Sequence, residues 1–336
     1  MQQAEAQASA RHDIIVVGAS IGGIEALTSL LSQLPGSFPA SILIVLHLHP
    51  ESPSVLDRIL SSRTNLTVKF AQEGEVLRHG SAYLAPPDQH LLVKDGKALL
   101  SHGPRENRSR PAIDPLFRSA AVAYGSRVVG VILSGLLDDG TAGLQAIKEC
   151  GGVAVAQDPK DAQYADMPIS AIENVEVDHV VPLADMGALL ARLVEMPAPE
   201  ASIPEHLKRE VEISQGLTRT DMEENIMGTL VPMVCPECGG ALTGLPSGKG
   251  MRYRCHEGHA FGQLHLVDAQ YDKMESALWS AVRIMEEQAN MLKRMARHHK
   301  SIPRSSKNHY GTRAKEIEAS AEHIRDFLLH IMKRKV

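Results

Sequence analysis

Four short runs of consecutive apolar residues, at 14–17, 42–46, 128–133 and 153–156, punctuate the first part of the chain. They are rich in Val and Ile and unbroken by polar positions, the pattern of strands covered on both faces. Between them apolar positions recur at helical spacing, in Ile24 to Leu34, Val55 to Leu60, Pro115 to Ala123 and Ala142 to Lys148. This alternation predicts an α/β domain over residues 13–195, with a mostly parallel, doubly wound sheet. A disordered tail is expected at 1–12. The rhythm breaks between 75 and 102, at Gly80, Pro86-Pro87 and Asp95-Gly96. The last pair, flanked by Leu91-Leu92-Val93 and Ala98-Leu99-Leu100, predicts an antiparallel hairpin added to the sheet.

The pattern changes again near residue 196. Pro197, Pro199 and Pro204 with several charges read as a linker over 196–230. Residues 231–262 are rich in Cys, Gly and His, and 263–336 return to helical periodicity. Leu278, Val282, Met285, Ala289 and Leu292 fall on one helix face. After a polar turn with Pro303, Asn308 and Gly311, a second helix carries Ile317, Ala321, Ile324, Leu328 and Ile331 at alternating four- and three-residue steps. The simplest arrangement is an antiparallel helical hairpin. Such a seam serves internal packing, a homodimer or a partner groove.

Composition alters this picture in three places. Residues 271–336 hold 14 Lys and Arg against 8 Asp and Glu, so a basic tail follows a body of net charge −11. Either the tail is a solvated helical surface or it meets something acidic. The polar N-terminus lacks a signal-peptide core, and no apolar run approaches a membrane span. A cytoplasmic protein is expected, with no membrane insertion and no nucleic-acid partner. Finally, 4 cysteines in 336 residues do not make a disulfide framework, and three of them are clustered.

Candidate chemistry sits where predicted strands end. Gly18-Ala19-Ser20-Ile21-Gly22 follows the first run, His47-Leu48-His49 the second, and Gly135-Leu136-Leu137-Asp138-Asp139-Gly140 the third. A serine on a glycine-bounded turn, a histidine and an aspartate are the parts of serine acyl-transfer chemistry. The helix starting near Gly23 would aim free N–H groups at an oxyanion. His49 competes with His47, because a two-residue step keeps a strand face. Asp138 competes with Asp139, since either can cap the next helix. Gly18 to Gly23 also overlaps a dinucleotide-binding pattern, but no carboxylate ends the second strand.

Taken together, these stretches resemble the catalytic domain of the chemotaxis protein-glutamate methylesterases, the CheB family. The resemblance extends through Ala82-Tyr83-Leu84-Ala85-Pro86-Pro87-Asp88-Gln89-His90, Arg110-Pro111 with Asp114, Leu116-Phe117-Arg118-Ser119, Gly130 to Gly135, and Met167-Pro168. It implies a triad of Ser20, His47 and Asp139, backbone oxyanion donors near Ile21 and Leu136, and His90 and Arg110 shaping the site rim. It implies hydrolysis of glutamate γ-methyl esters on the cytoplasmic helices of chemoreceptors without a cofactor, and glutamine deamidation as a companion reaction. Ile21 stands where the family often has threonine. The family's best-known members carry a phosphoacceptor receiver domain ahead of the catalytic strand, which this sequence lacks, so another regulator is expected. A competing reading makes the chain a catalytically degenerate scaffold that binds a partner through its last two segments.

Cys235-Pro236-Glu237-Cys238 and Cys255-His256-Glu257-Gly258-His259 have metal-knuckle spacing. Cys235, Cys238, Cys255 and His259, or His256 as the fourth ligand, predict a structural zinc in a zinc-ribbon-like module. So small a segment has too little core to fold unaided. The rival, a redox Cys-x-x-Cys, lacks the strand-to-helix setting that activates a thiolate.

Overall fold

The structure, a computed structural model, describes residues 10–48, 55–215, 228–298 and 304–332. The chain divides into two compact units, Met1–Leu266 and Val267–Val336.

In the first unit every apolar run becomes a strand. The order is β1 (Ile14–Ala19), α1 (Gly23–Ser32), β2 (Ser41–Leu46), α2 (Leu56–Ser61), β3 (Thr67–Phe70) and β4 (Ser81–Leu84). Then come β5 (His90–Lys94), β6 (Lys97–Ser101), α3 (Ile113–Tyr124), β7 (Val128–Ile132), α4 (Thr141–Glu149) and β8 (Val153–Gln157). The domain closes with α5 (Asp166–Asn174), β9 (His179–Val181) and α6 (Leu183–Leu193). Seven strands pair in the order β3-β4-β2-β1-β7-β8-β9, all parallel.

Period-two alternation explains the layers. On β1, Ile15 and Val17 join Leu27 and Leu30 of α1 and Leu190 of α6 on one face. Ile14 and Val16 join Phe117 of α3 and Leu144 and Ile147 of α4 on the other. Each such side chain contributes roughly 1.5–3 kcal/mol on burial, so helices are needed on both faces. The hairpin β5–β6 stands as a separate two-stranded sheet. It is tied to α3 where Val93 N–H donates to Ser119 Oγ at 3.0 Å. Residues 10–12, within the tail expected to be disordered, are held: Ala198 N–H donates to Ala10 O at 2.7 Å, and His12 is buried.

Inside the segment expected as a linker, α7 (Glu205–Ser214) forms, with Leu207, Glu210 and Val211 buried. The Cys/His segment folds as a second, antiparallel sheet of β10 (Thr229–Val234), β11 (Ala241–Ser247), β12 (Gly250–Cys255) and β13 (Ala260–Phe261), in that order. α8 (Gln263–His298) begins in this first unit.

The second unit is a helical hairpin of α8 and α9 (Arg304–Met332). Val282, Ala321 and Leu328 are buried at its centre, with Leu278, Met285 and Ile324 packed around them. These are seam positions expected from the spacing. Asn308 and Gly311, expected in the polar turn, lie within α9, while Pro303 falls outside the described residues. Lys293–Glu318 and Arg325–Glu286 ion pairs link the two helices.

Candidate active site

Strand order creates the site. From β1 the chain passes to β2 on one side, and only later adds β7 on the other. The crevice at such a switch point, outside the carboxyl ends of the strands, is where α/β sheets place ligands. Ser20 follows β1, His47 follows β2, and Asp139 lies between β7 and α4.

Local geometry fixes each group. Ser20 N–H donates to Ser134 O at 3.0 Å, and Gly23 N–H to Ser20 O at 2.8 Å, so the serine sits on a tight turn. Gly22 caps α1 with φ +76°, and a Cβ there would stand 2.8 Å from Ser134 Oγ. Gly135 passes so close that its Cβ would lie 2.8 Å from Ser20 Cβ. The backbone at Gly135 therefore runs close beside Ser20.

Three side chains meet in series. His47 Nε2 lies 2.7 Å from Asp139 Oδ2, and His47 Nδ1 lies 3.0 Å from Ser20 Oγ. Asp139 has no solvent exposure and His47 keeps 18%. An ionised carboxylate only accepts, so the ring proton belongs on Nε2 and Ser20 Oγ–H donates to Nδ1. Asp139 Oδ2 also accepts from Ile113 N–H (2.8 Å), and Oδ1 from Asn107 Nδ2 (2.7 Å) and Gly140 N–H (2.9 Å). Burial pushes its pKa up. The His47 hydrogen bond and charge, the His265 charge and the Ile113 N–H outweigh burial and hold it at about 2. Asp139 rather than Asp138 thus faces the histidine. The competing His49 lies outside the described residues.

Ile21, next to Ser20 in the chain, and Leu136, next to Gly135, are 48% and 39% exposed. The structure puts His90 inside the domain instead of at an open rim. His90 Nδ1 accepts from Ala112 N–H (3.2 Å) and Nε2 lies 3.0 Å from Pro104 O, bracing the loop before α3. Burial lowers its pKa, as it does for a ring that stays neutral. Arg110 is also a brace: Nη2 and Nε donate to Asp88 Oδ1 at 2.8 and 3.0 Å, and Nη1 to Gly103 O at 2.9 Å.

Sequence reasoning missed a buried layer beneath the triad. Asp114, seen only as a motif position, accepts from Asn107 Nδ2 (2.9 Å) and Gly143 N–H (2.6 Å). Burial first, and then the Asp139 charge, push its pKa up to about 7. Beside Asn107, Glu106 accepts from Arg118 Nη2 at 2.6 and 2.7 Å and from Arg254 Nη2 at 3.2 Å. Glu210 pairs with Arg252 and lies 3.4 Å from Arg118 Nε. All five ionic side chains are buried. They come from α3, the loop before it, α7 and β12. A signal existed in Arg252 and Arg254, two cations on one face of a strand.

The Cys/His residues converge as their spacing predicts. Ligand atoms of Cys235, Cys238, Cys255 and His259 all lie within 4.8 Å of one another. Cys238 Sγ is 3.6 Å from Cys255 Sγ, which is 3.5 Å from His259 Nδ1. Tetrahedral zinc with sulfur at about 2.3 Å and nitrogen at about 2.0 Å sets such pairs roughly 3.8 and 3.5 Å apart. The donor set fits that ion. Each knuckle closes a backbone loop, Cys235 N–H to Gly240 O (2.7 Å) and Cys255 N–H to His259 O (3.0 Å). Of the two candidate histidines, His259 faces the sulfurs, while His256 pairs with Glu257 at 3.1 Å.

No helix among the described residues is long and apolar enough to cross a membrane. Comparison with known proteins places residues 15–190, just over half of the chain, in the family described as CheB methylesterase. A Leptospira interrogans protein provisionally named protein-glutamate methylesterase/protein-glutamine glutaminase is 44% identical over 183 residues, 54% of this chain and 95% of that one. An Anaeromyxobacter dehalogenans protein-glutamate methylesterase/protein-glutamine glutaminase is 39% identical over 185 residues, and the match spans 55% of this chain and 54% of that longer one. The crystal structure of the Thermotoga maritima CheB methylesterase catalytic domain, 37% identical, superposes with a TM-score of 0.52 over 54% of this chain and 98% of that one. Because the match runs through the parallel sheet and its helices as far as α6, the chain belongs to the CheB methylesterase family, whose members hydrolyse ester bonds.

Proposed function

We propose that the protein hydrolyses glutamate γ-methyl esters on the cytoplasmic helices of chemoreceptors, and deamidates glutamine at similar positions. The hydrogen-bonded series from Ser20 through His47 to Asp139 carries this reading.

Ser20 Oγ attacks the ester carbonyl carbon while His47 Nδ1 takes its proton. Asp139 accepts the Nε2–H, fixes the tautomer and stabilises the imidazolium. Negative charge on the carbonyl oxygen meets backbone N–H groups of Ile21 and Leu136, at the N-terminal end of α1 and beside Ser20. The intermediate collapses as His47 returns the proton to the departing methoxide, releasing methanol. Water then gives a proton to His47 and attacks the acyl-enzyme, and His47 passes that proton to Ser20 Oγ as it departs, leaving glutamate and free Ser20. With glutamine the same steps release ammonia. Exposed Ile21, Ile24 and Leu136 border the approach, and an apolar rim suits the surface of a substrate helix.

Cys235, Cys238, Cys255 and His259 would hold a structural zinc. Three thiolates and an imidazole fill its shell and leave no open coordination position.

Methanol release from a methylated receptor fragment tests the assignment. Wild type should release methanol, and Ser20→Ala should lose roughly 10⁴-fold or more with its melting temperature unchanged. Equal release by the two proteins would remove Ser20 as nucleophile. Failure of wild type to release methanol or to take up a fluorophosphonate at Ser20 would favour the scaffold reading.

A further inference from the structure

The turn that carries Asp139 is held from outside the parallel sheet. Residues 260–265, which follow His259 directly, make four polar contacts with this turn and the loop beside it. Asn107 N–H donates to Ala260 O at 2.8 Å, and Gly262 N–H donates to Asn107 Oδ1 at 2.7 Å. Leu264 N–H donates to Asp138 Oδ2 at 3.1 Å, and His265 Nδ1 pairs with Asp138 Oδ1. Gly262 is needed for the approach, because a Cβ there would fall 2.3 Å from Asp138 Oδ2.

Asn107 is the hinge of this arrangement. It is buried, its backbone is left-handed with φ +49°, and each polar atom of its amide is used. Nδ2 donates to Asp139 Oδ1 at 2.7 Å and Asp114 Oδ2 at 2.9 Å, and Oδ1 accepts from Gly262. A reversed amide would set its oxygen against two carboxylates and its NH₂ against the Gly262 N–H. The Gly262 donor and the two carboxylates therefore favour the same orientation, Gly262 anchors the amide oxygen in place, and the amide holds the triad carboxylate. Next door, Glu106 ties the same loop to Arg254 of β12.

We propose that Asn107 is a positioning residue for Asp139, and that the Cys/His module sets it. Ordering of Cys255 and His259 around one ion is transmitted through Ala260 and Phe261, the two residues between His259 and Gly262. This rests on the hydrolase reading above. It makes the module a regulator of the triad in cis, and loss of its ion slows acylation without touching substrate binding.

The test uses the full-length, zinc-loaded protein, with Asn107→Ala, Cys238→Ser and the double variant. Readouts are zinc content, kcat and KM for methanol release from a methylated receptor fragment, and the rate of fluorophosphonate labelling of Ser20. Each single variant should lower kcat and labelling roughly 10- to 100-fold, with KM within about twofold. Cys238→Ser should also carry less zinc. The double variant should lose no more than the worse single one, because both break one link. Multiplying losses, or an Asn107→Ala protein with wild-type kcat, would overturn the proposal while the hydrolase stands. Should Cys238→Ser not fold, chelation of wild type replaces it. Labelling should then fall and return with added zinc, and labelling indifferent to chelation overturns the link. A wild type that is itself inactive and unlabelled overturns the hydrolase reading and this one with it.

Discussion

The parallel sheet and the Cys/His sheet belong to one compact unit, yet different forces hold them. β1, β2, β4 and β7 are buried from end to end, and their side chains enter two aliphatic layers. The Cys/His sheet buries few apolar chains, chiefly Leu242, Leu245 and Phe261, and leaves Leu230 and Val234 of β10 in solvent. It is fixed instead by Arg252 and Arg254, which meet Glu210 and Glu106 in a dry setting. Apolar contact is tolerant of small changes in shape. Buried charge is not, because an ion deprived of its partner keeps the full desolvation penalty. The contrast teaches where the protein is robust and where it is specific.

Glu210 should break the comparison most sharply. Burial raises its pKa, but Arg252 and then Arg118 outweigh burial and hold it at about 2. Glu210→Gln would leave those guanidinium groups short of an anion, and denaturant unfolding should show a loss of about 3–5 kcal/mol. In the parallel sheet, Ile44→Val removes one buried methylene and should cost only about 0.5–1.5 kcal/mol. Equal losses in the two variants would mean that the ionic cluster is as forgiving as the aliphatic layers.

A third test is a slope. Asp114, pushed up to about 7 against an ordinary carboxylate near 3.8, holds a proton in the folded chain that the unfolded chain gives up. Stability should therefore decline as pH rises from about 4 to about 7 on its account. Glu210 and Asp139, both held at about 2, act the other way and lose their contribution as pH falls below about 4. Asp114→Asn should be less stable near pH 4, where it gives up an acceptor for Asn107 or Gly143, but lack the decline between pH 4 and 7 in thermal unfolding, so the two proteins should converge as pH rises. A slope that persists in Asp114→Asn would assign it to another group.

How far the sequence announced this protein follows from the same contrast. β1, β2, β7 and β8 were legible because strands buried on both faces read as unbroken apolar runs. β3 and β9 were not, since edge strands such as Thr67–Phe70 and His179–Val181 are half exposed and carry no run. α7 hid in a proline-rich stretch. Pro204, which reads as a breaker, is its N-cap. Ser20, His47 and Asp139 were readable because a strand end gives each a local context. Asn107 and Glu210 were not, since their partners Gly262 and Arg252 stand far along the chain and spacing reports only neighbours. For the same reason Asp138 looked like a cap for the helix that follows it, whereas its carboxylate reaches Leu264 and His265.

The pairing of Asn107 with Gly262 also bears on biosynthesis. Ser20, His47 and Asp139 leave the ribosome long before the residue that orients their support. At about 5–20 residues per second, the stretch between Asp139 and Gly262 takes roughly 6–25 s to translate. A nascent chain thus has its nucleophile early and its alignment late, so on the proposal above full esterase activity comes only after the final strand of the small sheet has been made and docked.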